Sequence, residues 1–250
     1  GVGDEIEVYK ANMIIPQIAQ NLTRSGVKDI PKVCPVCGGK TEIRQVSNAK
    51  ALYCTNPECQ AKHVKAFALF ASRDALNIEG LSEATLEKFI DRGFIKEFTD
   101  IFHLDKWQEE IQTMEGFGEK SYKNLIANVE KAKVTTLPKV IYALGIPGIG
   151  LANAKVICRE FSGDVDLMIH ATAEELAEIQ GVGEVLAGAF VTYFQDEKHV
   201  ESLKRLIAEL EIPKEEESES QQIFAGVNFV ITGSVEHFAN RGEVKELIES

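Results

Sequence analysis

Apolar positions along this chain follow several different periods. Residues 4–9, Asp-Glu-Ile-Glu-Val-Tyr, alternate polar and apolar and predict a half-buried strand. Ile14, Ile15 and Ile18 carry an apolar edge past Pro16, after which Asn21 to Lys32 is polar. From Ala61 to Arg73 the spacing of Val64, Phe67, Ala68, Phe70 and Ala71 is helical. Near the other end, Val200, Leu203, Leu206, Ile207 and Leu210 predict a helix that Pro213 stops. Lys214 to Gln222 has no apolar residue and reads as a solvated linker. Beyond it, Gly226-Val-Asn-Phe-Val-Ile-Thr-Gly233 predicts a buried strand ending in a turn, and Arg241–Ser250 a helix. That last stretch is too short to bury a core of its own, so the chain is expected to stop inside a domain.

The middle of the chain repeats itself. Ile78-Glu-Gly80-Leu-Ser82, Met114-Glu-Gly116-Phe-Gly118, Ile146-Pro-Gly148-Ile-Gly150 and Ile179-Gln-Gly181-Val-Gly183 share the order apolar, any, Gly, apolar, Gly or Ser. Their first glycines lie 36, 32 and 33 residues apart, and a helical pattern follows each, as in Glu119–Lys131 and Leu151–Phe161. Such a period signals stacked units that bury their apolar faces against one another.

Composition narrows the class. With 250 residues, 44% hydrophobic and 26% charged, the chain is long enough for two or three small packed domains. It has neither an apolar run of membrane-spanning length nor an opening signal peptide. It begins at Gly1 within a strand-like pattern, which suggests a piece of something longer.

The net charge is −12, which argues against a general polyanion binder. The charge is uneven, however. Residues 1–75 carry 10 basic and 7 acidic side chains, residues 76–210 carry 14 and 23, and residues 211–250 carry 3 and 9. Any grip on nucleic acid in the middle stretch must use something other than bulk positive charge.

Cys34-Pro-Val-Cys37-Gly-Gly39 and Cys54-x4-Cys59 form two short-spaced cysteine pairs separated by 16 residues. Four thiolates so placed can surround one Zn2+ tetrahedrally, leaving no position for water, so the metal would be structural. The glycines after the first pair permit a tight knuckle whose N–H groups face the sulfurs. His63, at Cys59-x3-His63, is a rival fourth ligand. Clustered cysteines of this kind indicate a reducing compartment, and the isolated Cys158 reads as a small buried hydrophobe.

In each repeat the first glycine permits φ > 0 and the second lets another backbone approach closely, where a helix begins. Helix N-termini carry unpaired N–H groups and the positive end of the dipole, so such a hairpin can hold a phosphate without lysine. Contacts of this kind position a duplex without reading its sequence. The candidate DNA contacts are Gly80 and Ser82; Gly116, Phe117, Gly118, Lys120 and Lys123; Gly148, Ile149 and Gly150; and Gly181, Val182 and Gly183. Ser82 replaces the second glycine in the first copy, and the lysines make the second the best electrostatic candidate.

The order of strand, four-cysteine finger, four hairpins, acidic linker and a BRCT-like start at Gly226–Gly233 with Arg241 resembles the C-terminal half of bacterial NAD-dependent DNA ligases. The resemblance covers essentially the whole chain. It implies a multidomain, mainly α fold. Residues 1–30 would be the end of an oligonucleotide-binding (OB) β-barrel, 31–62 the zinc finger and 63–212 the helix-hairpin-helix domain. Residues 213–222 would be the linker and 223–250 the start of an α/β BRCT domain, where Thr232 and Gly233 are candidate phosphate contacts.

The family joins 3′-hydroxyl and 5′-phosphate ends at nicks in duplex DNA, using NAD+ and Mg2+ and an adenylated lysine in a Lys-x-Asp-Gly motif. No such motif occurs here. The resemblance thus implies a cytoplasmic, nucleoid-associated, monomeric parent enzyme whose adenylation centre lies outside this sequence. The segment alone would be inactive, with no catalytic residue and no site for NAD+ or Mg2+.

Two other readings are open. In a helix-hairpin-helix DNA glycosylase, Asp164 or Asp166 after the third hairpin would be the catalytic carboxylate, although Ser162-Gly163-Asp164 looks more like helix-cap chemistry. In a non-enzymatic scaffold, the finger and the terminal segment would bind DNA or proteins.

Overall fold

The computed structural model describes residues 1–26, 30–46 and 49–213, and beyond them 229–233, 235, 237, 238, 244, 247 and 248. The described residues are mainly helical, with two small antiparallel sheets. They group into two compact units: residues 1–128 with 143–145, and 129–142 with 146–250.

The first unit opens with a hairpin of β1 (Ile6–Ala11) and β2 (Ile15–Asn21). Asn12 and Met13 turn the chain with φ of +51° and +63°, the handedness that matches the twist of paired strands. The expected strand is present, but it is not half-buried. Val8 and its cross-strand neighbour Ile18 are 50% and 63% exposed. Alternation predicts which side chains share a face, but a ribbon of two strands has no layer to cover that face. Pro16 sits opposite Lys10 near the hairpin tip, within a two-stranded edge that tolerates its missing donor.

A second hairpin, β3 (Thr41–Val46) and β4 (Ala49–Cys54), follows, and then α1 (Gln60–Ala71). Phe67 and Phe70 on α1 pack with Phe98, the Phe70 and Phe98 rings stacking at 4.5 Å. Phe98 opens a pair of short 3-10 segments, Phe98–Trp107, broken at the non-helical His103, and their start is held by Asp100 accepting the N–H groups of Lys96 and Glu97. With α2 (Glu83–Asp91) and α3 (Gln108–Gln112), these elements enclose a core that includes Leu86, Phe89, Ile95, Ile101 and Leu104. The fourth helix, α4 (Glu119–Ala132), starts in this unit.

The second unit contains most of α5 (Leu137–Ala143), then α6 (Leu151–Glu160), α7 (Val165–Ile169), α8 (Ala173–Glu178), α9 (Glu184–Phe194) and α10 (Glu197–Ala208). Its core includes Ile141, Ile157, Met168, Leu176, Phe190 and Leu203. Cys158 is buried here with its Sγ 4.0 Å from Met168 Sδ, as its apolar setting predicted. The predicted helices at 61–73, 119–131, 151–161 and 200–210 all form, with ends shifted by up to three residues.

The acidic linker after Pro213 lies outside the described residues, as do Gly226–Asn228 and Arg241. Residues 229–233 are described and do not form the expected buried strand. Phe229 and Val230 are exposed, and no strand is assigned to the described residues 229–233. Gly233 has the positive φ of a turn, as expected.

Candidate nucleic-acid interface and metal centre

Four cysteine sulfurs, those of Cys34, Cys37, Cys54 and Cys59, converge within 4.8 Å of one another. The knuckle is closed by Cys34 N–H donating to Gly39 O at 2.7 Å and Gly38 N–H donating to Cys34 O at 2.9 Å. Gly38 turns with φ +68°, while Gly39 is required for space: a Cβ there would stand 3.2 Å from Cys37 Sγ and 3.0 Å from Asn56 Cβ. The sheet register that pairs Thr41 with Cys54 delivers the third sulfur, and Cys59 caps α1 to deliver the fourth.

The sulfurs of Cys37 and Cys54 are 3.5 Å apart and those of Cys34 and Cys59 3.9 Å apart. Zinc with Zn–S bonds of about 2.3 Å places tetrahedral sulfurs about 3.8 Å apart, so the donor set fits the ion. N–H groups also face the sulfurs, Gly39 donating to Cys37 Sγ at 3.4 Å. That bond and the Asn56 side chain lower the Cys37 thiol to about 6, while burial pushes Cys54 up to about 11. The N–H groups of Cys37 and Val36 lower Cys34. A divalent cation would favour the thiolate form that metal binding requires. His63 turns instead to Glu58, 3.6 Å away, and is not among the convergent donors.

The four glycine turns share one backbone. Gly80, Gly116, Gly148 and Gly181 have φ of +98°, +86°, +80° and +92°. In three of them the following residue closes a β-turn: Phe117, Ile149 and Val182 donate to Met114 O, Ile146 O and Ile179 O. A positive φ only at the third turn residue is the requirement of a type II turn, and Pro147 suits the second position. Helices then begin alike: Leu86, Tyr122, Ala154 and Ala187 donate to the carbonyls of residues 82, 118, 150 and 183. The amides between these positions lie in the first turn of each helix, where Thr85 N–H is taken by Ser82 Oγ and Leu186 N–H by Gly183 O.

Where a copy has two glycines, they do different work. Gly150 and Gly183 are extended, with φ of −86° and −81°, so they need no left-handed freedom. Cβ atoms at Gly118 and Gly183 would meet nothing within 4 Å. Their lack of a side chain therefore leaves free space at the helix N-terminus. Ile149 and Val182 are only 4% and 1% exposed. With their N–H groups spent inside the turn, they and the half-buried Phe117 anchor the hairpin.

The copies differ electrostatically. Ser82 Oγ accepts Thr85 N–H at 3.2 Å and so caps its own helix. Glu83, Glu119 and Glu184 place carboxylates in the first turns of α2, α4 and α9, whereas α6 has none. Lys123 pairs with Glu119 at 2.6 Å, and both line an open depression with Lys120 and Asn124. The second hairpin keeps Lys120 beside this pair, and the third has no first-turn carboxylate.

Sequence reading passed over Asn153. Its side chain accepts Gly150 N–H at 3.3 Å and donates to Gly181 O at 3.0 Å. An amide at the third helical position after Gly150 was the available cue. The carboxylates that a glycosylase would need are both engaged: Asp164 caps α7 by accepting Leu167 N–H at 3.0 Å, and Asp166 pairs with Lys204 at 3.2 Å.

Comparison with known proteins accords with these turns. Residues 139–203 match the family described as a helix-hairpin-helix motif. The whole chain is 58% identical to a protein named DNA ligase from Lachnoclostridium phytofermentans and 53% identical to one from Ruminiclostridium cellulolyticum. A DNA ligase from Thermosipho africanus is 38% identical over 99% of the chain. The chain spans about 38% of the length of the first two and 37% of the third. No helix among the described residues is long and apolar enough to cross a membrane. Matched from end to end in this way, the chain corresponds to a segment of bacterial proteins named DNA ligase.

Proposed function

We propose that this chain is the DNA-gripping portion of an NAD-dependent DNA ligase. Its parent protein would seal nicks between 3′-hydroxyl and 5′-phosphate ends in duplex DNA, with NAD+ and Mg2+ acting elsewhere in that protein. The observation that carries this reading is the repeated turn: a positive-φ glycine in all four copies, followed in three by a glycine that leaves the helix N-terminus clear, on a chain that matches DNA ligases throughout. Oriented amides supply the attraction, which is how an acidic segment can hold a phosphate backbone without reading bases.

In this reading residues 1–30 complete an OB barrel, 31–62 form the finger, 63–212 carry four helix-hairpin-helix repeats and 223–250 begin a BRCT domain. Cys34, Cys37, Cys54 and Cys59 hold one Zn2+, which supplies folding energy to a finger too small to fold unaided. The phosphate contacts are the N-terminal amides framed by Gly80 and Ser82, Gly116 and Gly118, Gly148 and Gly150, and Gly181 and Gly183, with Lys120 the nearest uncommitted cation at the second. The parent is monomeric and acts in the cytoplasm on nucleoid DNA.

The test is titration of the purified chain with nicked duplexes of two unrelated sequences, alongside incubation with labelled NAD+. Binding of similar strength to both duplexes, without adenylate on the protein, is expected. Self-adenylation would overturn the placement of the adenylation centre outside this segment. Excision of a damaged base from a modified duplex would favour the glycosylase. Failure to bind DNA would favour a scaffold that binds proteins.

A further inference from the structure

The turns are braced in pairs by each other's helices. In the first unit, Asn128 Nδ2 on α4 donates to Glu79 O in the first turn at 3.1 Å. Lys88 Nζ on α2 returns the contact to Glu115 O in the second, also at 3.1 Å. The second unit repeats the exchange: Leu186 on α9 packs against Gly148, while Asn153 on α6 reaches Gly181 O. Each hairpin is thus tied to the helix that follows its partner.

Asn153 does more than the other three. Its Oδ1 takes the N–H of Gly150, where its own helix begins, and its Nδ2 holds the carbonyl of Gly181 in the other turn. The first bond is ordinary capping from the third helical position. Capping does not explain the second. Among side chains of this length only an amide presents an acceptor and a donor on one rigid plane, so aspartate, serine or leucine could not make both bonds.

We propose that Asn153 is a positioning residue that fixes the register between the third and fourth hairpins, so that α6 and α9 engage two phosphates of one duplex together. This rests on the reading of the hairpins as backbone contacts. Held in register, the second contact forms at high effective concentration; released, each N-terminus binds almost alone.

The two possible roles of Asn153 separate in a double-mutant cycle on the full chain with a fluorescent nicked duplex. Asn153→Ala should weaken binding on the order of tenfold in the parent background. It should cost almost nothing where Gly183→Val has already blocked the fourth hairpin, because no second contact is left to align. Asn153→Asp keeps the acceptor for Gly150 N–H and loses only the donor to Gly181 O. It should show the same dependence on background and guards against a folding failure of the alanine variant.

Equal losses in both backgrounds would overturn the proposal, since general destabilisation, direct DNA contact and the added charge of aspartate all act irrespective of the fourth hairpin. Full binding by both folded variants would also overturn it. If the parent chain failed to bind duplex at all, the backbone-contact reading would fall first and this inference with it.

Discussion

Leu186 Cδ2 stands 2.7 Å from the point that a Cβ on Gly148 would occupy, and the φ of Gly148 is +80°. Any larger residue there meets both a strained backbone and a packed methyl group. Gly116 has nearly the same φ, +86°, but open space around it. Gly148→Ala should therefore destabilise the fold by about 2–4 kcal/mol and Gly116→Ala by only about 1–2 kcal/mol. Urea denaturation of the two variants gives the comparison. Equal losses would mean that Leu186 moves aside freely.

Metal removal should act locally. Elemental analysis should find one zinc per chain, and chelation should disorder β3, β4 and the start of α1 while most helical signal survives, because the repeats have their own apolar core. Cys34→Ser should mimic chelation. Gly39→Ala should retain zinc less well than the parent, since its Cβ would crowd Cys37 Sγ at 3.2 Å. Protein purified without chelator and free of stoichiometric metal would refute the assignment.

Acid should loosen the fourth repeat through one carboxylate. Glu175 Oε2 accepts Thr172 N–H at 2.8 Å and the Thr172 hydroxyl at 3.0 Å, and these bonds hold the Glu175 pKa below its ordinary value. A folded-state pKa that is lowered contributes stability above the unfolded value, about 4.3, and loses it as pH falls through the folded one. Between pH 7 and pH 3 the parent should thus lose more stability than Glu175→Gln, which has no charge to lose. Parallel pH dependences in urea melts would remove Glu175 from the account.

Much of this was legible in local pattern. Cys34, Cys37, Cys54 and Cys59 converge because their spacing fits a knuckle and a hairpin, both short-range structures. The four first glycines need φ > 0 because the turn demands it, and the repeat made that visible four times. Pattern failed where the outcome depends on distant partners. Val8 and Ile18 alternate like buried strand residues, yet burial requires a covering layer that alternation does not specify. Lys123 promised a free cation until its neighbour one helical turn back, Glu119, engaged it. Asn153 joins turns whose glycines are 31 residues apart in sequence, from Gly150 to Gly181, and no local rule connects them.

The second glycines separate binding from folding. At Gly118, Gly150 and Gly183 a Cβ meets no atom closer than 3.7 Å, and the extended φ at Gly150 and Gly183 suits a β-branched residue. Valine at each should leave the fold largely intact while placing a branched side chain where a phosphate would approach. Each change should weaken duplex binding by about 1–3 kcal/mol, the scale of lost charge-assisted hydrogen bonds. Gly150→Val should cost most, because α6 alone among the four helices has no carboxylate in its first turn to oppose the anion. Lys139→Ala, away from the glycine turns, should change little. The salt dependence should be shallow for the area covered, since amides displace few condensed counterions. Circular dichroism on each variant distinguishes lost contact from lost fold. Well-folded valine variants that bind nicked duplex as tightly as the parent would reduce the hairpins to architecture, and a steep salt slope would assign the grip to lysines instead.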